Sequence, residues 1–235
     1  MKRQELENGV EVFGIQRDTA EFFTLFVLVE NTRLRDRLNG RKHFLEHLAF
    51  AGSEKLRFPE SNIDILRRGG RRGACCGTHW MGFYIQVPRE ELEYGLFYLN
   101  QIIYHPFFPE REVEVERNRI INEIEKSQLS PISKLFNETK KIFHRNSNIE
   151  YNGMGKTEDI KRIKREDLLN FHERYFTAGN TKVFIHGNLD ERTVYRVSEV
   201  FGGVRGDKEV EDEEIIINKK FSGYNERNFH RVGST

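Results

Sequence analysis

His43, Glu46 and His47 stand in the order His-x-x-Glu-His. On a helix, positions four apart lie one turn apart on the same face, so both imidazoles can converge on one metal ion. Glu46, three residues after His43, falls on the same side, within reach of a water held by that metal. Two zinc ligands and a general base are thereby supplied, and hydrolytic zinc sites usually carry a third protein ligand. A candidate lies downstream, in the run from Glu110 to Lys126. Val113, Ile120, Ile121 and Ile124 form an apolar stripe there that predicts a helix. Glu116 and Glu123, seven residues apart, project from nearly one face of it. One can bind metal while the other orients a ligand histidine. Taken alone, each signal has a plainer reading. His-x-x-Glu-His can arise by chance in a chain with eight histidines and many glutamates, and a Glu- and Arg-rich helix is often only a solvated face. Their conjunction is what points to a hydrolytic metal site.

The elements that must hold these residues are legible from periodicity. Strands are expected over Val10–Ile15 and Phe22–Glu30, the second rich in aromatic and β-branched residues as a central strand should be. Asn31 to Gly40 reads as a polar loop, and the helix bearing the two histidines begins near Gly40. A helix over Ser61–Arg68, capped by Ser61, ends at Gly69-Gly70. Arg71 to Val87 reads as two short strands, stopped by Pro88. Leu92, Leu96, Leu99 and Ile103 predict a helix over Glu90–Tyr104. Pro106 and Pro109 separate it from the Glu-rich helix. Ser130-Pro131 opens a further helix to about His144. Helices follow over Asp167–Tyr175 and Glu191–Phe201, the latter capped by Asp190, with a strand at Lys182–His186. Glu209–Glu214 is an acidic stretch, and Ile215–Ile217 a short final strand. This mixture lacks regular β-α-β alternation and predicts an α+β fold, a largely antiparallel sheet backed by helices.

Composition narrows the function classes. The 235 residues suffice for one large domain or two small ones. Net charge is +1, which argues against a nucleic-acid partner, and no long apolar run suggests a membrane span. The N-terminus carries no signal-like apolar core, so the default location is cytoplasmic. Cys75 and Cys76 are the only cysteines and are adjacent, which excludes a disulfide framework and reads as a half-buried reduced pair. The high Lys, Arg and Glu content is similar to thermophile surfaces.

The segment from His43 to Lys55, HFLEHLAFAGSEK, resembles the pitrilysin-type zinc peptidases, the group that includes insulin-degrading enzyme and the mitochondrial processing peptidase. In that family His-x-x-Glu-His precedes a Phe, a Gly and a Ser or Thr, as Phe50, Gly52 and Ser53 stand here. A ligand glutamate follows roughly 75 residues on in a Glu-Arg-x-x-x-x-x-Glu pattern, which Glu116, Arg117 and Glu123 fit. The resemblance implies that His43, His47 and Glu123 bind Zn2+, that Glu46 is the base, and that Glu116 supports the site from the ligand helix. It extends to Leu6–Val12 as an opening hairpin turning at Asn8-Gly9. It also takes in Gly153 to Ile160, Asp167-Leu168, Tyr175, and the strand and turn from Val183 to Asn188. The implied fold is one half of such a metallopeptidase, with residues 1–205 as the zinc-bearing domain and 206–235 as an acidic segment and tail or linker.

By the same resemblance, an extended peptide substrate adds to a sheet edge near Gly73, Ala74, Cys75 and Cys76. The sequence departs from the family there. Gly73 stands in place of the usual Asn and Cys76 in place of the usual Thr. Arg71 and Arg72 either favour acidic peptides or are two exposed arginines at a turn. Family members also usually have two related halves, and no second half is legible here. The chain is therefore expected to be a zinc endopeptidase, or its zinc-bearing half, completed by a second copy or by a separate subunit resembling the other half. The alternatives are a non-catalytic structural or partner subunit of the same fold, and a zinc amidohydrolase for small substrates.

Overall fold

The computed structural model describes residues 1–30, 40–77, 79–143 and 153–206. Among them are six strands and eight α-helices, in the order β1 (Lys2–Glu5), β2 (Glu11–Gln16), β3 (Phe22–Glu30), α1 (Arg41–Leu48), α2 (Glu60–Arg67), β4 (Arg71–Cys76), β5 (Trp80–Pro88), α3 (Leu92–Tyr104), α4 (Glu110–Leu129), α5 (Pro131–Phe143), α6 (Thr157–Arg162), α7 (Arg165–Tyr175), β6 (Thr181–Gly187) and α8 (Glu191–Gly202). The strands form one sheet in the order β1-β2-β6-β3-β5-β4. All neighbours are antiparallel except β2 and β6. This is the expected α+β architecture, with one parallel pair inside it.

The alternation along β3 decides which face of the sheet is covered. Phe23, Leu25, Val27 and Val29 are fully buried under the helices. Each such side chain contributes about 1.5–3 kcal/mol of transfer free energy, set against the entropy of ordering it. The opposite face carries no helix among the described residues. It holds a half-buried aromatic band in which Phe13 stacks on Phe184 at 4.8 Å and Phe26 meets Trp80 and Phe184 edge-on. No helix among the described residues is long and apolar enough to cross a membrane.

Gly40 governs where α1 begins. Its φ of 104° is left-handed, and an added Cβ would lie 2.6 Å from Ile160 Cδ1 and 2.9 Å from the Met154 carbonyl oxygen. Only glycine lets the chain enter α1 this close to α6. Asp190 caps α8 as expected, accepting from the Thr193 amide at 2.7 Å. Asn8, at the opening hairpin turn, donates to the carbonyls of Phe201, Gly202 and Val204 and so ties the hairpin to the end of α8.

Three expectations need correction. Ser61 does not cap α2: the helix starts at Glu60 behind Pro59, and the Ser61 amide already bonds the Arg57 carbonyl. β5 is a nine-residue strand rather than a short one, because it pairs with β3 along its whole length. Helix α7 begins at Arg165, two residues early, because Asp167 sits inside it and accepts from the Lys164 amide at 2.8 Å. The loop Asn31–Asn39, the helix end at His144, the acidic stretch Glu209–Glu214, the strand Ile215–Ile217 and the tail lie outside the described residues.

His172 of α7 packs half-buried against α3, where Nε2 lies 2.6 Å from the Ile103 carbonyl oxygen and the ring stacks on Phe176. Burial lowers its pKa to about 4. A depressed imidazole binds protons more readily in the unfolded chain, so stability falls as pH drops from about 6.5 toward about 4. Replacing His172 with Phe is expected to flatten that part of the stability–pH curve, measured by denaturant unfolding at stepped pH. An unchanged slope would assign the effect to other groups.

Candidate metal centre

Two helices build the site. In α1, Phe44, Leu45 and Leu48 are buried, which turns the His43 and His47 face toward α4. In α4, the buried positions are Val113, Glu116, Ile120 and Ile124, spaced three or four apart. Ile121, expected in that stripe, is only partly buried. Glu116 thus occupies an apolar seam, and Glu123 lies next to it on the same face. Arg117 fastens the two helices. Its guanidinium lies 5.4 Å from the Phe44 ring centre, and it donates to the Ile160 carbonyl at the end of α6.

The donor atoms converge. His43 Nε2 and His47 Nε2 are 3.2 Å apart, Glu123 Oε2 is 3.3 Å from His47 Nε2, and it is 3.7 Å from His43 Nε2. Ligands on a tetrahedral zinc ion stand about 3.3 Å from one another, given metal–ligand bonds near 2 Å. The three distances fit that requirement, and these residues form the one His/Cys/Asp/Glu group able to hold a metal ion among the described residues.

The surroundings set the tautomers. His47 Nδ1 is 3.1 Å from Glu116 Oε2. A carboxylate only accepts, so Nδ1 carries the proton and Nε2 keeps its lone pair toward the cluster. The Glu116 side chain is 9% exposed and its other oxygen is bonded by Arg119 on the next turn, so a buried charge is paired on both sides. Burial also pushes the His43 imidazole below its usual pKa. His47 acts in the same direction, while Glu123 and Glu46 oppose it. The neutral ring is the form that binds metal. His43 Nδ1 is buried with no hydrogen-bond partner among the described residues.

Glu46 lies beside the histidines. It lines a pocket of about 440 Å³ with His47, Phe50, Phe58, Asn62, Arg72, Ala74, Glu112, Glu116 and Arg119. Burial chiefly, and the nearby Glu46 carboxylate next, push the Cys76 thiol well above the ordinary thiol range. Cys76 therefore remains a protonated donor. Its Sγ is also 3.7 Å from the Lys42 carbonyl oxygen. The strand register separates the four residues expected to meet substrate. Ala74 and Cys76 pair with Phe83 and Met81 on the helix-covered face, where the pocket lies; Gly73 and Cys75 pair with Tyr84 and Gly82 on the opposite face. All four share the outer edge of the sheet, where β4 has no second strand neighbour among the described residues.

Residues 23–155 match the family described as Insulinase (Peptidase family M16), and residues 162–229 match that described as the Peptidase M16 inactive domain. This chain belongs to peptidase family M16. Similar M16 proteins include the uncharacterized zinc protease YmxG of Bacillus subtilis, 24% identical over 204 residues. The beta subunit of mitochondrial-processing peptidase of Dictyostelium discoideum is 26% identical over 204 residues. The two alignments cover 86% and 85% of this chain but 50% and 43% of those proteins, so the chain spans about half the length of the relatives it matches. The crystal structure of a protease from Helicobacter pylori shares the fold, with a TM-score of 0.80 at 20% identity, over 87% of this chain and 50% of that one. The two M16 matches meet between α5 and α7, yet β6 of the second inserts between β2 and β3, so both contribute to one sheet.

Sequence reasoning passed over Phe50 as a pocket wall, Asn62, and Arg119 as the partner of Glu116. Only the last had a local signal, the i,i+3 spacing of an ion pair. The geometry separates the roles of the two glutamates on α4. Glu123→Gln is expected to lose most bound zinc in elemental analysis, since an amide is a poor ligand. Glu116→Gln is expected to keep it with affinity weakened about 10–100-fold by chelator competition. Equal retention by both variants would remove Glu123 from the ligand set.

Proposed function

We propose that this chain is the zinc-bearing half of an M16 endopeptidase, and that a second copy or a separate subunit completes its substrate chamber. The convergence of His43, His47 and Glu123 at tetrahedral spacing, with Glu116 behind His47, carries this reading. In it His43, His47 and Glu123 hold Zn2+, and residues 1–205 act as one domain. When bound, zinc would supply the Lewis acidity that amide hydrolysis needs.

The chain's own residues supply the rest. Glu46 makes no ion pair with the histidines among the described residues, so its carboxylate is available to take a proton from water and deliver it to the leaving amine. The protonated Cys76 thiol lies near that carboxylate and adds no competing charge beside it. The outer edge of β4 offers backbone donors and acceptors to an extended peptide, which would pair as an added strand. Gly73, Ala74, Cys75 and Cys76 would then contact substrate through the backbone, and only Ala74 and Cys76 would also face the pocket.

Two further observations support a covering partner. The helix-free face of the sheet presents its aromatic band to solvent. Helix α5 exposes Ile132, Leu135, Phe136, Ile142 and Phe143, more contiguous apolar surface than a helix on a monomer usually shows. The relatives' greater length is consistent with a second half that buries such surfaces. An open half-site orders a peptide poorly and excludes water poorly, so turnover by the lone chain should be slow.

Glu46→Gln is expected to keep zinc and lose peptide hydrolysis by several orders of magnitude. Near wild-type cleavage would refute the assigned base, and lost zinc would make Glu46 a ligand. Turnover of a quenched peptide mixture should also rise with protein concentration or with an added complementary subunit, followed beside light scattering. Full turnover by a monomer at every concentration would mean that the single domain is a complete enzyme.

A further inference from the structure

Arg71 and Arg72 adjoin in sequence but point to opposite faces of β4. Arg71 is exposed, whereas Arg72 pairs with buried Ile85 and lies on the helix-covered face. Its guanidinium stacks 3.9 Å from the ring centre of Phe50. It makes no ion pair or hydrogen bond among the described residues. Burial lowers its pKa, with only Tyr98 opposing. A desolvated guanidinium with an aromatic floor and no counter-ion still has its planar fork of donors to offer.

Most other charges around it face other partners. Arg72 lines the pocket that Glu46 and His47 also line. Glu116 is held by His47 and Arg119, and no ion pair joins Glu46 to Arg72 among the described residues. Glu112 lines the same pocket half-buried, and no ion pair joins it to Arg72 among the described residues. The half-buried cation gains from an incoming anion, because a counter-ion there replaces solvation already lost.

We propose that Arg72 is a specificity determinant: its guanidinium, stacked on Phe50, receives the carboxylate of an Asp or Glu side chain on one side of the scissile bond of the bound peptide. Arg72, Ala74 and Cys76 share one face of the edge strand, spaced about 7 Å apart, and Cys76 lies near Glu46. An extended peptide on that edge would present its own alternate side chains to the same pocket. This inference rests on the peptidase reading above and adds the chemistry of its substrate.

The test is fluorescence polarisation on the zinc-loaded Glu46→Gln chain, which binds without cleaving. Labelled peptides that differ only by Glu or Gln, placed at each position in turn, are titrated to saturation. At one position the Glu peptide is expected to bind about tenfold tighter than its Gln isostere. Adding Arg72→Gln should erase that difference while leaving the neutral peptide's Kd unchanged. Adding Arg72→Glu should reverse it, favouring Lys at the same position. Equal affinities at every position, or a preference for Glu that survives both substitutions, would overturn the role of Arg72 and leave the peptidase reading standing. So would a loss of affinity for acidic and neutral peptides alike, which is what mere packing on Phe50 predicts. Failure of every peptide to bind at a protein concentration, or with a complementary subunit, at which the chain without the Glu46 substitution cleaves peptides would overturn both readings.

Discussion

The contact between His47 Nδ1 and Glu116, 3.1 Å across the seam of α1 and α4, is the interaction on which the site depends. It places a carboxylate among Val113, Ile120 and Ile124, where an unpaired charge would be costly. The pairing with His47 on one side and Arg119 on the other makes the burial tolerable. In return it fixes the ring orientation and the tautomer of His47. With that ring held, Nε2 of His47 faces Nε2 of His43 at 3.2 Å, and Glu123 closes the third side.

This arrangement demands that α1 and α4 keep a close, constant separation, and the rest of the domain is organised to enforce it. Phe44 and Leu48 bury the inner face of α1, and Ile120 and Ile124 that of α4. Gly40 lets the chain pass near Ile160 and Met154 on its way into α1. Arg117 spans from Phe44 to the end of α6. Each contact is modest, but together they leave the imidazoles little freedom, and preorganised donors lose little entropy when a cation enters.

The sheet contributes by alternation. On β4, period two sends Arg72, Ala74 and Cys76 toward the pocket and Gly73 and Cys75 to the far side, so adjacent residues do unlike work. The same rule leaves an aromatic band on the helix-free face. One face of the sheet is thus fully buried, while Phe26, Phe184 and Trp80 stay half-covered on the other.

Much of this could be read from the sequence because it depends on local periodicity. Helical spacing alone puts His43 and His47 on one face and Glu116 and Glu123 on another. β-branched and aromatic runs mark β3 and β5, and Asp190 announces α8. What sequence could not decide depends on contacts between distant elements. Ser61 has the chemistry of a cap, yet Pro59 and the Arg57 carbonyl start α2 earlier. Arg71 and Arg72 look equivalent until the pairing of Arg72 with Ile85 turns one inward onto Phe50. Cys76 reads as half of an inert pair until β4 sets it against Glu46. The side-chain chemistry was present in the sequence; its direction came from strand register and helix docking, which no local window of residues specifies.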